Sequence, residues 1–105
     1  MFFWKRTSFT RPLFRLPQDE LVCYTALLRS PTSDPDVLAQ MLAVNRTLYE
    51  LSRSAGGTLY PFAAVELTQE DWRRHYGAQW QDLAKAKRRY DPDAVLASGP
   101  RLYFT

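Results

Sequence analysis

The most regular pattern of apolar and polar residues lies in the last third of the chain and predicts one long amphipathic helix over residues 68–90. Thr68 has the side chain of a helix cap, and Asp71, three residues later, suits the reciprocal capping position. At about 100° per residue, aromatic and apolar side chains collect on one face and charged side chains on the other. That inner face comprises Trp72, Tyr76, Leu83 and Tyr90, with Trp80 and Ala86 at its margins.

Two turns are expected after this helix. Asp91-Pro92 ends the helix because the residue before a proline is displaced from helical backbone, and a short new turn then runs through Leu96. Ser98-Gly99-Pro100 indicates a second turn. The apolar residues 102–104 are expected to form a final strand or a packed end.

A second helix is predicted in the middle of the chain. Asp34, Pro35 and Asp36 supply a cap, a proline in the first turn and an acid near the positive helix end. The helix should end near Ser54, where Gly56-Gly57 provides a left-handed stop. Its predicted inner face comprises Leu38, Met41, Leu42, Asn45, Leu48, Tyr49 and Ser52.

Strand signals occur on both sides of this helix. The continuous apolar run over residues 21–28 is the best candidate for a central strand, and residues 58–65, interrupted early by Pro61, predict another. Residues 2–9 are rich in aromatic side chains and predict either an edge strand or a loose arm. The pattern therefore favours an α+β fold, in which two main helices pack on one face of a small, mostly antiparallel sheet to bury their apolar stripes.

Length and composition limit the number of domains and the size of the core. At 105 residues the chain is expected to form a single domain, 1–105, with a modest core, since no repeat or linker divides it. A hydrophobic fraction of 46% excludes disorder, and the six phenylalanines, six tyrosines and three tryptophans suggest a surface that needs a partner. The single Cys23 excludes an internal disulfide and is expected to be a small core residue.

Charge and hydropathy exclude several classes of function. The net charge is +3 with mixed signs, so no nucleic acid partner is expected. No apolar run approaches the roughly 18 residues of a membrane span, and no signal peptide pattern is present, so a cytoplasmic location is the default.

The sequence offers few groups for chemistry. His75 is the sole histidine, and without a nearby nucleophile or second ligand it indicates neither a triad nor a metal site, so packing or hydrogen bonding at a helix–sheet seam is the favoured interpretation. Lys87 lies inside the aromatic face of the long helix. Its ammonium group either extends past its apolar neighbours to solvent, or is held beside an acidic partner or a flavin edge. We predict no catalytic residue and no metal ligand.

The same C-terminal stretch resembles the end of the flavin-dependent oxidoreductases that include cytokinin dehydrogenases. Weaker similarity extends upstream through residues 11–17, Asn45-Arg46 and Tyr60-Pro61, and so through nearly the whole chain. The C-terminal positions that match in order and spacing are Trp72, His75, Tyr76, Gly77, Trp80, Lys87, Tyr90, Asp91, Pro92, Val95, Leu96 and Gly99.

The resemblance implies a piece of the substrate-side domain that covers the flavin ring. In such enzymes an amine or alcohol carbon is oxidised and hydride passes to the flavin. Gly99, Lys87 and Tyr60 are the implied FAD contacts, made only with a partner flavin domain. Nothing here resembles the flavin-binding module, and Ser98 and Pro100 replace the proline and glutamine of the family's terminal motif.

Two hypotheses follow from different classes. In the first, the chain is a split or truncated substrate-side piece of a FAD-dependent oxidoreductase, which is either active only with a separate flavin-binding chain or inactive altogether. In the second, it is a stand-alone protein-binding or homo-oligomerising module without catalysis. The isolated chain is expected to hold no cofactor.

Overall fold

The computed structural model describes residues 1–11, 13–61 and 64–96. Three α-helices and a two-stranded antiparallel sheet are formed there, which confirms the predicted α+β class. The chain divides into two compact units, Met1–Val65 and Glu66–Thr105. That both main helices lie on one face of the sheet stays a prediction, as does the single domain 1–105.

The sheet consists of β1 (Phe2–Lys5) and β2 (Leu21–Tyr24). Phe2 lies opposite Tyr24 and Lys5 opposite Leu21. The edge-strand interpretation of residues 2–9 is thus confirmed for the first half of that segment. A single 3₁₀ turn, Arg6–Ser8, follows β1.

Two of the strand predictions need correction. The predicted strand 21–28 ends at Tyr24, because the guanidinium of Arg29 hydrogen-bonds to the helix that follows and draws this segment away from the sheet. The predicted strand 58–65 is absent from its described residues. The side-chain amide of Asn45 donates a 2.8 Å hydrogen bond to the carbonyl oxygen of Ala64, in place of the backbone N–H group of a neighbouring strand. Cys23, expected in the core, is exposed on β2.

Helix α1 (Pro35–Ser54) follows the predicted boundaries. The Asp34 carboxylate accepts hydrogen bonds from the backbone N–H groups of Asp36 and Val37 at 2.9 and 3.2 Å, as its capping role requires. Gly56 adopts φ 81°, the left-handed conformation expected at the helix stop. The predicted inner face is only partly right, because Tyr49 is the sole residue of α1 that is fully buried.

The helix predicted over residues 68–90 is two helices, α2 (Gln69–Tyr76) and α3 (Gln79–Tyr90). The Thr68–Asp71 capping box is present as predicted. Gly77 breaks the helix by adopting φ 54° and ψ −128°, a conformation that favours glycine. The prediction of one continuous helix was wrong because Gly77 was taken as a residue of the helix interior.

The break also changes which side chains of α3 are buried. Trp80 and Ala84 are buried, whereas Tyr90 is 75% exposed and lies under the Arg89 guanidinium, 5.4 Å from the ring centre. Lys87 follows the two buried residues at helical spacing and is half-buried. The inner stripe is therefore rotated relative to the one predicted for a straight helix.

Replacement of Gly77 tests the break. A Cβ there would meet no atom within 4 Å, so the penalty of Gly77→Ala is one of backbone conformation alone. We expect Gly77→Ala to lower the free energy of unfolding by about 1–3 kcal/mol, measured by chemical denaturation.

A continuous helix would give the opposite sign, since Gly→Ala in a helix interior stabilises by about 0.5–1 kcal/mol. The matched control is Ala78→Gly, at a neighbouring residue with an ordinary φ of −58°. A loss as large in the control as in Gly77→Ala would contradict the assignment of strain to Gly77.

Candidate functional site

A cavity of about 590 Å³ lies within the unit formed by residues 1–65. Its volume falls in the range of about 300–1,000 Å³ that is typical of pockets for small molecules. Most of its wall is apolar or aromatic. The lining residues are Trp4, Phe9, Arg11, Phe14, Arg15, Leu16, Pro17, Val22, Cys23, Tyr24, Ser52, Gly57, Thr58, Leu59 and Tyr60.

The aromatic rings of this wall contact each other in sequence. Tyr24 stacks on Trp4 with ring centres 5.2 Å apart, and Trp4 contacts Phe9 at 5.1 Å. Phe9 contacts Phe14 at 5.3 Å, and Phe14 meets the edge of Tyr60 at 5.8 Å. These distances lie within the range of about 4.5–7 Å between ring centres at which aromatic side chains attract each other. We call this series of rings the aromatic wall; it gives the cavity an aromatic surface that suits a largely apolar ligand.

The pairing of β1 with β2 positions the residues at one end of the aromatic wall. Trp4 lies opposite Val22 in the antiparallel pair, and Phe2 opposite Tyr24. Because side chains alternate across a sheet, Trp4, Val22 and Tyr24 project from the same face. Val22 is buried beneath the two rings. The alternation of β1 and β2 thereby fixes the stacking of Trp4 on Tyr24.

The other end of the wall depends on the loop that follows α1. The hydroxyl of Thr58 donates a 2.8 Å hydrogen bond to the carbonyl oxygen of Arg15, which joins this loop to the segment that carries Phe14. Gly57 lies close against α1, since a Cβ there would stand 2.3 Å from the Ser52 hydroxyl oxygen. The loop can therefore bring Tyr60 to the cavity only with glycine at position 57.

Two arginines, Arg11 and Arg15, provide the charged groups of the cavity lining. No carboxylate is among the lining residues of the described chain. A ligand with hydrogen-bond acceptors at its rim would therefore be favoured over a cationic one. This arrangement is suited to binding and orienting a ligand, since the described lining holds no histidine and no acid to move a proton.

The Asp91 carboxylate forms a second cluster at the end of α3. It accepts hydrogen bonds from the Lys87 ammonium and from the backbone N–H groups of Val95 at 2.8 Å and Leu96 at 3.1 Å. Lys87 also donates to the carbonyl oxygen of Leu96 at 3.2 Å. The hydrogen bond from Lys87, with those from the backbone, holds the pKa of Asp91 below its ordinary value.

The three predicted flavin contacts lie in different parts of the chain. Tyr60 lines the cavity, Lys87 is held by Asp91, and these two residues belong to different compact units. Gly99 lies outside the described residues. Among the alternatives for Lys87, the structure selects an acidic partner, and only 13% of its side chain is exposed. Whether any of the three contacts FAD stays a prediction.

Most of the aromatic wall was not identified from the sequence. Trp4, Phe9, Phe14 and Tyr24 were assigned to an edge strand, a connector and a central strand, and no pattern linked them. The available signal was the cluster of five aromatic residues within the first 14 positions of the chain. That signal predicted exposed aromatic surface, but the fold alone shows that these rings share a cavity.

His75 packs against two aromatic rings of its own helix, α2, which confirms the predicted packing, whereas its place at a helix–sheet seam stays a prediction. Its ring meets Trp72 edge-on at 5.8 Å and Tyr76 edge-on at 4.8 Å. Within the described residues, no group of three or more His, Cys, Asp or Glu side chains could hold a metal ion. None of the described helices combines the length and apolar character needed to cross a membrane.

Two of the three described helices offer no open N-terminus to a phosphate group. Helix N-termini bind such groups when their N–H donors are open, but the Asp34 side chain caps α1 and the Thr68 side chain caps α2, whereas α3 has no side-chain cap. Gly57 packs against Ser52 and leaves no open glycine cradle.

Comparison with known proteins gives a consistent result over the length of the chain. The family model described as "Cytokinin dehydrogenase 1, FAD and cytokinin binding" matches residues 5–103. No solved structure is significantly similar.

Among individual proteins, an uncharacterized oxidoreductase, ORF5 in the fasciation locus of Rhodococcoides fascians, is 42% identical over 93% of this chain and 22% of its own length. Cytokinin dehydrogenase 9 of Oryza sativa subsp. japonica is 32% identical over 81% of this chain and 16% of its own. Cytokinin dehydrogenase 5 of Arabidopsis thaliana is 30% identical over 83% and 17%. The chain thus spans about a fifth of the length of these relatives.

The Asp91 cluster predicts a pH dependence. The pKa of Asp91 is lower in the folded chain than in the unfolded chain, where it is about 3.9. The ionised carboxylate therefore contributes fully to stability above about pH 3.9, and this contribution is lost as the pH falls through the lower pKa of the folded state. We expect Asp91→Asn to lower the melting temperature at pH 7 and the difference from the unsubstituted chain to shrink in acid.

The control is Asp82→Asn, whose carboxylate is exposed and lies 3.8 Å from Lys85. This variant should melt within experimental error of the unsubstituted chain at every pH, as exposed ion pairs contribute little. A pH-independent loss in Asp91→Asn would show that the carboxylate charge is not what stabilises the turn.

Proposed function

The chain belongs to the cytokinin dehydrogenase family, and from that premise we propose that it forms a substrate-side part of a FAD-dependent oxidoreductase. The proposed reaction is oxidation of an amine or alcohol carbon, in which FAD accepts the hydride. The flavin is proposed to be supplied by a module outside residues 1–105, on a longer polypeptide or on a separate partner chain. We also propose a cytoplasmic location.

The aromatic wall is the observation that carries this proposal. A substrate-side part must hold the reacting molecule in a fixed orientation against a cofactor, and this can lower the barrier without any acid or base of its own. The rings of Trp4, Phe9, Phe14 and Tyr60 are among the lining of a cavity of suitable volume. Such a surface binds a planar ring by stacking and by removal of apolar area from water.

The division of roles follows from the side chains present. The cavity offers apolar faces and the guanidinium groups of Arg11 and Arg15, which suit recognition of a ring with acceptor atoms. The described lining of the cavity holds no carboxylate and no histidine. The proposed contribution of this chain is therefore binding and orientation, and the chain alone is proposed to be inactive.

A segment exchange tests the proposal. Residues 1–103, which include β1 with Trp4 as well as the family match over residues 5–103, would replace the matching segment of cytokinin dehydrogenase 9 of Oryza sativa, which is 32% identical to this chain over 85 residues. The exchanged protein is expected to hold flavin in stoichiometric amounts, seen by its absorbance, and to oxidise a cytokinin with an artificial electron acceptor. The isolated chain should hold no stoichiometric flavin.

The matched variants of the exchanged protein are Phe14→Ala and Phe3→Ala. Phe14 lies in the aromatic wall, whereas Phe3 is 61% exposed, projects from the face of β1 opposite to that of Trp4 and is not among the lining residues. Loss of one buried ring contact, about 1.4 kcal/mol or more, should raise KM at least about tenfold in Phe14→Ala. Equal effects of the two variants, or flavin bound by the isolated chain, would contradict the proposal.

The second candidate is a protein-binding or homo-oligomerising module without catalysis. It is favoured by exposed apolar side chains on the described surface, among them Phe2, Phe3 and Leu28. Contiguous exposed apolar surface commonly marks an interaction site. A folded, flavin-containing exchange protein that oxidised no amine or alcohol would favour this candidate.

A further inference from the structure

Asn45 lies in the middle of α1, and its side-chain amide joins this helix to two other segments of the chain. The oxygen atom Oδ1 accepts a hydrogen bond from the guanidinium of Arg29, and the nitrogen Nδ2 donates a 2.8 Å hydrogen bond to the carbonyl oxygen of Ala64. Arg29 lies 16 residues before Asn45, and Ala64 lies 19 residues after it. One side chain therefore connects three segments that are remote along the sequence.

An amide suits this position because its two partners make opposite demands. A guanidinium can only donate a hydrogen bond and a backbone carbonyl can only accept one, so the side chain between them must offer an acceptor and a donor together. Asn45 is the sole asparagine of the sequence. A carboxylate of the same shape would still accept from Arg29, but it would place a second oxygen atom against the carbonyl oxygen of Ala64.

The contact with Arg29 strengthens the bond from Asn45 to Ala64. The same amino group of Arg29 also donates to the carbonyl oxygen of Met41 at 2.9 Å, one turn before Asn45, so the guanidinium is held by two acceptors of α1. Hydrogen bonds in series polarise one another, and a cation that bonds to the amide oxygen makes the amide N–H group a better donor. Arg29, Asn45 and Ala64 therefore act as one connected series.

The bond to Ala64 anchors the chain on the C-terminal side of Tyr60. On the N-terminal side, the hydroxyl of Thr58 donates a 2.8 Å hydrogen bond to the carbonyl oxygen of Arg15. Tyr60 lies two residues after Thr58 and four before Ala64. Its ring lines the cavity and meets Phe14 edge-on. The ring at this end of the aromatic wall is thus carried by a segment that is anchored on both sides.

From these contacts we infer that Asn45, held by Arg29, is a positioning residue of the cavity: its amide fixes Tyr60 against Phe14 before a ligand binds. Asn45 is not among the residues that line the described cavity, so it acts through Tyr60. Release of Ala64 would remove one anchor, and a ligand would then have to order the segment on binding, at a cost in affinity. The inference rests on the proposed function in that it assigns the cavity to a ligand.

Binding of N-phenyl-1-naphthylamine to the full chain tests the inference, since the fluorescence of this apolar aromatic probe rises in an apolar cavity. Asn45→Asp keeps the acceptor for Arg29 and loses the donor to Ala64, so we expect it to raise Kd about five- to tenfold. The matched control is Thr47→Ala, which removes a 3.1 Å hydrogen bond from the Thr47 hydroxyl to the Ala43 carbonyl oxygen within α1. It should change Kd by less than about twofold.

A double-mutant cycle with Tyr60→Ala shows whether Asn45 acts through Tyr60. Tyr60→Ala alone should raise Kd about tenfold, and addition of Asn45→Asp should then raise it by less than about twofold, because the ring that the amide positions is gone. A purely structural contribution of Asn45 would lower the affinity equally in both backgrounds. Additive effects would therefore overturn the inference, as would a Tyr60→Ala variant that binds the probe like the unsubstituted chain.

Arg29→Ala tests the same series from the other side of the amide. It keeps the donor to Ala64 but removes the cation that polarises it, and Kd should rise about two- to threefold. Far-UV circular dichroism shows whether each variant retains its helices, and Arg29 is exposed, so Arg29→Ala should fold. If Asn45→Asp does not fold, Arg29→Ala decides, and an unchanged Kd overturns the inference.

The exchanged protein separates failure of this inference from failure of the proposed function. There, Asn45→Asp should raise KM for the cytokinin about five- to tenfold and change kcat by less than about twofold, since the amide touches no reacting atom. No cytokinin oxidation, together with coupled effects of Asn45 and Tyr60 on probe binding, would sink the proposed function and support the positioning role. A KM that responds to Phe14→Ala but not to Asn45→Asp would overturn the positioning role and leave the proposed function standing.

Discussion

The stacking of three aromatic rings across a helix break is the interaction on which the unit of residues 66–96 depends. Trp72 stacks on Tyr76 with ring centres 6.0 Å apart, and Tyr76 stacks on Trp80 at 6.3 Å. All three are buried. Gly77 changes the direction of the chain between Tyr76 and Trp80, and the rings of these two residues remain stacked across the turn. The position of every later residue of α3 follows from this turn.

The rotated face of α3 accounts for the Asp91 cluster. Trp80, Ala84, Lys87 and Asp91 follow one another at spacings of four, three and four residues, so Lys87 and Asp91 continue the buried stripe. A half-buried ammonium at such a position needs a charged or polar acceptor. Asp91 supplies it, and its remaining lone pairs accept the N–H groups of the turn. A lysine that looked anomalous on a straight helix is therefore a structural residue of the corner.

The sequence was most informative where the physics is local. The caps at Asp34 and Thr68 and the stop at Gly56 could be predicted, because each depends on a few adjacent residues. The break at Gly77 could not, since the same glycine is compatible with a helix interior at modest cost. The cavity could not either, because the pairing of Trp4 with Tyr24 and of Phe14 with Tyr60 joins residues that are remote along the chain.

The two units differ in the sequence separation of the residues that contact each other, and this difference affects the order of folding. In the second unit, the stack and the Asp91 cluster join residues no more than nine positions apart, as in the bond from Lys87 to Leu96. In the first, the bond from Thr58 to Arg15 closes a loop of 43 residues. Local contacts close fast, whereas distant ones must first overcome chain entropy. On a nascent or refolding chain, the second unit should therefore order before the cavity of the first has closed.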